Sequence, residues 1–292
     1  MDERLFGRLA ARLADGPVVL ATVVATRGAT PRKSGSRMLI GARDTEFSVG
    51  GGAAEASVVE AARALLASPA RAGSLVIDLT GRPGALGVCG GTMQVALRHW
   101  AGDEDRAYAR DIATQLRAGR PVWAGEDDLG PGVEAEALQP SPRLLIVGAG
   151  HCGAALHDLA RHLDYDLWLF DPRAELLDPA QLPAATLRSG PFAALAEAFD
   201  TARQVQAVLL NRDYASDVAT LRVLAGKPLA FLGMMGSRRR IGEVLAALDE
   251  PQRAALAELH APVGLALGAQ TPHEIAVSIL AQLIEQRYRT AA

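Results

Sequence analysis

Apolar residues recur along the chain in two periods, and their succession predicts the elements. Leu5, Leu9 and Leu13, with Phe6 beside them, fall at helical spacing, and Asp15-Gly16-Pro17 stops that helix before the strand-like run VVLATVVAT. RGATPRKSGSRMLIG reads as a glycine- and proline-containing loop leading into a second strand. FSVGGGAAEASVVEAARALLAS reads as a strand, a triple-glycine turn and a long alanine-rich helix beginning near Ala54. GSLVIDLT and MQVALRHW are strands flanking the glycine-rich loop GRPGALGVCGG, and DRAYARDIATQLRAG is one more helix.

From Arg143 the order changes. RLLIV leads through glycines into a helix and a second strand, and after a variable stretch come a strand (VQAVLLN), a helix (SDVATLRVLA), a strand (LAFLGMMG) and a helix (RRRIGEVLAAL). Alternating strands and helices imply a parallel sheet with helices on its faces. TPHEIAVSILAQLIEQRYR closes the chain as an amphipathic helix with Pro272 in its first turn. Between the two patterns, AGEDDLGPGVEAEALQPSP combines acids, glycine and proline without sustained periodicity. The predicted organisation is therefore an N-terminal α/β domain over residues 1–125, a linker over 126–142, and a Rossmann-like doubly wound parallel-sheet domain over 143–292.

At 292 residues, 49% hydrophobic and 22% charged, the chain can fill two ordinary cores. A formal net charge of -3, with both signs mixed along the length, leaves no extended basic face, so nucleic acid is not expected as a partner. Met1 to Gly16 has no apolar core of signal-peptide length and no later run is apolar enough to span a bilayer, so a cytoplasmic protein without membrane association is expected. Cys89 and Cys152 fall in different predicted domains, and two cysteines are too few for a disulfide framework. The six histidines, His99, His151 and His273 among them, show no metal-binding spacing, and no serine sits in a nucleophile elbow. No catalytic residue is assigned.

Gly148, Gly150 and Gly153 fit G-x-G-x-x-G directly after a strand and at the start of a helix, with Asp171 at the end of the next strand. Gly148 permits the tight turn, Gly150 lets backbone approach a pyrophosphate, Gly153 lets helix and strand pack, and Asp171 can accept from ribose hydroxyls. Arg173 adds a guanidinium at the adenosine position, suited to an anion or to a surface ion pair. In GMMGSRRRIGEVL, Ser237 and Arg238 fall at a helix N-terminus, an anion-binding arrangement, while Arg239 and Arg240 read as a solvated basic face. These features alone support an NAD(P)-dependent oxidoreductase, or a protein binding another nucleotide.

The remaining motifs point elsewhere. TPRKSGSRM, SVGGGAAEA, GVCGG, VGAGHCG, GMMGSRRR and APVGLALGAQTPHEIAVSILA occur in an order and spacing that resembles the xanthine dehydrogenase accessory protein (XdhC) family over nearly the whole chain. The resemblance implies a binding protein rather than an enzyme. Such a chaperone would bind the molybdenum cofactor, a phosphate-bearing molybdopterin, and assist its sulfuration and insertion into a xanthine dehydrogenase-type molybdoenzyme. A cysteine desulfurase and a second copy of the chain, in a homodimer, are the further partners implied. The family's glycine-flanked cysteine falls on Cys89, with Gly90 and Gly91 after it, and its first glycine loop on Gly50, Gly51, Gly52 and Glu55. A Cys89 thiolate is a soft ligand suited to a molybdenum or sulfur centre. Glu55 equally suits the dipole of the helix it begins.

Two departures from the family pattern stand out. Many relatives carry a second cysteine after the triple glycine, where this chain has Ala53, so Cys89 would act alone. LLNRDYASD replaces a segment that often carries Ser/Thr and His in relatives; Asn211, Arg212 and Asp213 are expected to line the crevice, and Asp217 to start the next helix.

Overall fold

The computed structural model describes residues 2–289. The chain divides into two compact units, Met1–Pro140 and Ser141–Ala292.

The N-terminal unit is built on strands β1 (Val18–Arg27), β2 (Arg37–Ile40), β3 (Thr45–Phe47), β4 (Ala72–Leu79) and β5 (Gly91–Trp100), in antiparallel order β3-β2-β1-β5-β4. Helices α1 (Asp2–Arg12) and α3 (Gly102–Arg117) cover one face, and α2 (Gly52–Leu66) covers the other. Central β1 is apolar at almost every position because both its faces are covered. Val18 and Leu20 join Leu5, Phe6, Leu9 and Ile112 in one core, whereas Val19, Ala21 and Val23 join Met38, Val58 and Val95 in the other. The period of two survives as a choice between cores rather than between core and water.

Residues 126–142, expected to be a linker, fold onto this unit through Pro140. Helix α4 (Glu126–Leu129) and the hairpin of β6 (Val122–Ala124) with β7 (Glu136–Leu138) bury Leu129 and Leu138 in the α1/α3 core. Leu129 accepts a hydrogen bond from the buried Thr22 hydroxyl at 3.0 Å. Glu136 and Asp2 pair with Arg37, which is only 3% exposed. Elements of three and four residues are too short to show a hydrophobic period, which is why this packing is silent in the sequence.

The C-terminal unit is a parallel sheet of β8 (Arg143–Val147), β9 (Asp166–Phe170), β10 (Ala185–Arg188), β11 (Val205–Leu209) and β12 (Leu229–Met234), ordered β10-β9-β8-β11-β12. The expected doubly wound fold is present. Helices α5 (His151–Ala160) and α9 (Pro272–Arg289) pack on Leu144, Ile146 and Val208; α6 (Tyr214–Leu224) and α7 (Arg238–Ala246) pack on Leu145, Val147 and Leu209. Strand β10 and the short α8 (Glu250–Ala255) are additions to the sequence-based reading. The strand order reverses direction at β8, so the crevice of this unit opens at the carboxyl ends of β8 and β11. No helix among the described residues is long and apolar enough to cross a membrane.

Candidate functional site

In the N-terminal unit, the chain leaves β1, β3 and β4 and enters β2 and β5 at one end of the sheet. Three loops therefore meet there. Backbone contact fixes two of them: a Cβ on Gly91 would stand 2.3 Å from the Arg27 carbonyl oxygen, and one on Gly28 would stand 2.7 Å from that of Gly90. Gly50 abuts Pro31 of the same first loop. The loop carrying Gly50, Gly51 and Gly52 is thereby brought to the same end as the loop of Cys89, Gly90 and Gly91. Cys89 is exposed, and its neighbour Val88 is 88% exposed. At Gly51, Gly52 and Gly90 nothing lies within 4 Å of where a side chain would begin, so a bulky ligand can reach the backbone.

Glu55 is turned inward. Its carboxylate accepts from the Ser48 hydroxyl at 2.6 Å and from the Val49 and Gly51 amides at 3.1 Å each. Burial opposes its ionisation, but the hydrogen bonds from Ser48, Gly51 and Val49 prevail and hold it below the usual carboxylate range. It ties the triple-glycine turn to the start of α2.

In the C-terminal unit, Gly148, Gly150, Gly153, Asp171 and Arg173 come together. A Cβ on Gly153 would stand 1.9 Å from the Gly148 carbonyl oxygen, which makes glycine obligatory for α5 to approach β8. Gly150 is the N-terminal cap residue of α5, with no side chain capping it and open space above it. It borders a crevice of about 810 Å³ whose lining includes His151, Cys152, Arg173, Asn211, Arg212 and Met235. Burial raises the Cys152 thiol pKa above its ordinary value.

Asp171 is fully buried, and its partners are all protein. Oδ1 accepts from the Arg173 amide and Arg173 Nε, and Oδ2 accepts from the Ala149 amide and an Arg173 terminal nitrogen, all four at 2.9 Å. Burial alone would raise its pKa; Arg173 and the two amides outweigh that and lower it.

The basic segment of α7 differs from its sequence reading. Ser237 caps the helix, accepting from the Arg240 amide at 3.2 Å, and Arg238 is exposed in the first turn without lining the crevice. Arg239 is solvated, as expected. Arg240 is not: it donates to Asp217 Oδ2 at 2.8 Å and to the carbonyls of Asn211 and Arg212 at 3.1 Å each. Asp217 does not start α6; Asp213 caps it, accepting from the Ser216 amide at 2.9 Å, and Asp217 lies fully buried within it. Only the one-helical-turn spacing of Asp213 and Asp217 hints at two distinct roles.

These features define a two-unit α/β protein with an exposed thiol among glycine loops in one unit and, in the other, a Rossmann crevice lined by both Arg173 and Arg212 and by Glu175 and Asp178. The model of the XdhC and CoxI family matches residues 11–78, and that of the XdhC Rossmann domain matches residues 144–283. The chain belongs to the XdhC family. It is 31% identical over 276 residues to the uncharacterized protein YqeB of Escherichia coli K12, covering 92% of this chain and 43% of that one. It is 30% identical over 158 residues to a probable xanthine dehydrogenase subunit of Bacillus subtilis 168, covering 53% and 46%. The matches thus span less than half the length of either curated relative. A crystal structure described as a xanthine dehydrogenase from Bacillus halodurans shares the fold, with a TM-score of 0.84 at 24% identity over 99% of this chain and 96% of that one.

Proposed function

We propose that this chain is an accessory protein for a xanthine dehydrogenase-type molybdoenzyme. It binds the molybdenum cofactor as cargo, protects it during sulfuration, and hands it to the enzyme. The observation that carries this reading is the match of XdhC models to both units of the chain. The residues present suit such a cargo: Cys89 offers one exposed soft ligand, and the open backbone at Gly51, Gly52 and Gly90 leaves room for a bulky pterin. Arg173 and Arg212 in the Rossmann crevice suit a phosphate. A cysteine desulfurase as sulfur donor, a homodimer and a cytoplasmic location complete the proposal.

Anaerobic titration with isolated cofactor tests it. Near-stoichiometric binding that weakens at least tenfold in Cys89→Ala supports the reading, and absence of binding by the native protein removes it. Reconstitution of a cofactor-free xanthine dehydrogenase, with and without this protein, tests delivery. The competing oxidoreductase reading has the glycine turn in its favour and the fully engaged Asp171 against it.

A further inference from the structure

An ionised carboxylate offers about four acceptor positions, two on each oxygen. At Asp171 all four are filled by protein donors, and the side chain is 1% exposed. A Rossmann unit that binds a dinucleotide needs this carboxylate free, because it accepts from the adenosine ribose hydroxyls. Here that acceptor is consumed. The group that consumes it changes the chemistry of the position as well. Arg173 commits Nε and one terminal nitrogen to Asp171, so three of its five N–H groups have no hydrogen-bond partner among the described residues, with Glu175 and Asp213 acting on the guanidinium through their charge. Its side chain is 39% exposed and lines the same crevice as Arg212 and the uncapped N-terminus of α5. A ribose diol needs acceptors; at the Asp171 position they are spent and Arg173 presents donors, while the carboxylates of Glu175 and Asp178 line the crevice beside it.

We infer that Arg173 is the specificity-determining residue of the Rossmann crevice: it closes the ribose-diol position by saturating Asp171 and admits instead a phosphomonoester or diphosphate, held between its free guanidinium edge, Arg212 and the first turn of α5. The inference concerns the C-terminal unit alone and holds whatever the Cys89 loop carries. A diol seated at the Asp171 position finds those acceptors already engaged, which leaves its desolvated hydroxyls unpaired there and discriminates against the ligand bearing them.

The test uses the full-length protein and two probes, ADP-ribose and inorganic pyrophosphate, titrated calorimetrically. Native protein is expected to bind pyrophosphate, and because both probes carry a diphosphate while only ADP-ribose carries the diol, the ratio of ADP-ribose to pyrophosphate affinity should rise at least tenfold in Arg173→Ala. In that variant the Ala149 and residue-173 amides still hold the carboxylate, while two acceptor positions are released. Pyrophosphate binding should weaken about tenfold or more in Arg173→Ala, the scale of one charge-assisted contact. That rise in the ratio should vanish in Asp171→Ala/Arg173→Ala. Should Arg173→Ala fail to fold, Arg173→Lys keeps the charge but not the fork, and an intermediate rise is expected. An affinity ratio of ADP-ribose to pyrophosphate unchanged in Arg173→Ala, a rise that survives loss of Asp171, or pyrophosphate binding indifferent to Arg173 would each overturn the assignment. None of these outcomes depends on molybdenum cofactor binding, so failure here and failure of the accessory role are separable.

Discussion

Arg240 Nε lies 2.8 Å from Asp217 Oδ2, and the same guanidinium reaches the carbonyls of Asn211 and Arg212 at the carboxyl end of β11. One side chain on α7 therefore neutralises a fully buried acid on α6 and ties down the chain that borders the crevice. Removing it leaves that acid unpaired. Arg240→Ala should destabilise the protein by about 3–5 kcal/mol. Arg239→Ala, one residue earlier on a solvated side chain, should stay within about 0.5 kcal/mol. Urea denaturation of the two variants side by side checks the contrast.

The three glycines of the Rossmann turn should not tolerate a methyl group equally. At Gly153 a Cβ collides with the Gly148 carbonyl oxygen, whereas at Gly150 it meets open space. Gly153→Ala should lower the melting temperature steeply or prevent folding, because backbone rather than a flexible side chain must move. Gly150→Ala should fold like the native protein and lose affinity for pyrophosphate. Thermal melts followed by titration separate the structural glycine from the ligand-facing one.

His157 gives the C-terminal unit an acid sensitivity. It is 1% exposed, one ring nitrogen contacts the Pro183 carbonyl at 2.9 Å, and Nδ1 has no hydrogen-bond partner among the described residues. Burial lowers its pKa below the ordinary 6.5, against the Pro183 contact that raises it. Between the lowered folded value and 6.5 the unfolded chain binds more protons, so stability falls as pH falls through that window. The slope contributed is at most about 1.4 kcal/mol per pH unit. His157→Gln, whose amide can still donate to Pro183, should flatten the dependence of melting temperature on pH below 6.5; an unchanged slope would assign the effect to another group.

The two thiols should separate kinetically. Cys89 is exposed, while Cys152 is partly buried and its pKa is raised by that burial. Neutral alkylating reagent at about pH 8 should modify Cys89 at least about tenfold faster, since the thiolate is the nucleophile. Mass spectrometry of tryptic peptides over time reads the ratio directly.

The elements with a clear period are legible in the chain itself. The Leu5, Phe6 and Leu9 stripe marks α1, the β1 run marks a strand, and the glycine turn with Asp171 marks the parallel unit. What stays hidden is short or spatial. Strand β10, helix α8 and the β6/β7 strands span six residues or fewer each, below the length at which a period can be counted. The meeting of the Gly28 and Gly91 loops follows from sheet register, which no local signal carries. The position of Asp171 at its strand end is readable from the motif, but that its acceptors are spent on Arg173 depends on side-chain geometry. Arg240 escapes a sequence reading for the same reason: three successive arginines look alike until one of them finds a buried acid.

The fork between Asp171 and Arg173 joins residues only two apart in the chain. So small a ring costs little chain entropy to close. It can form once the end of β9 is in place and owes nothing to a distant helix or to a second chain. The chemical preference of the crevice is in that sense portable. It resides in a tripeptide, Asp171-Pro172-Arg173, and one residue exchange there could redirect the crevice while its five strands stay as they are.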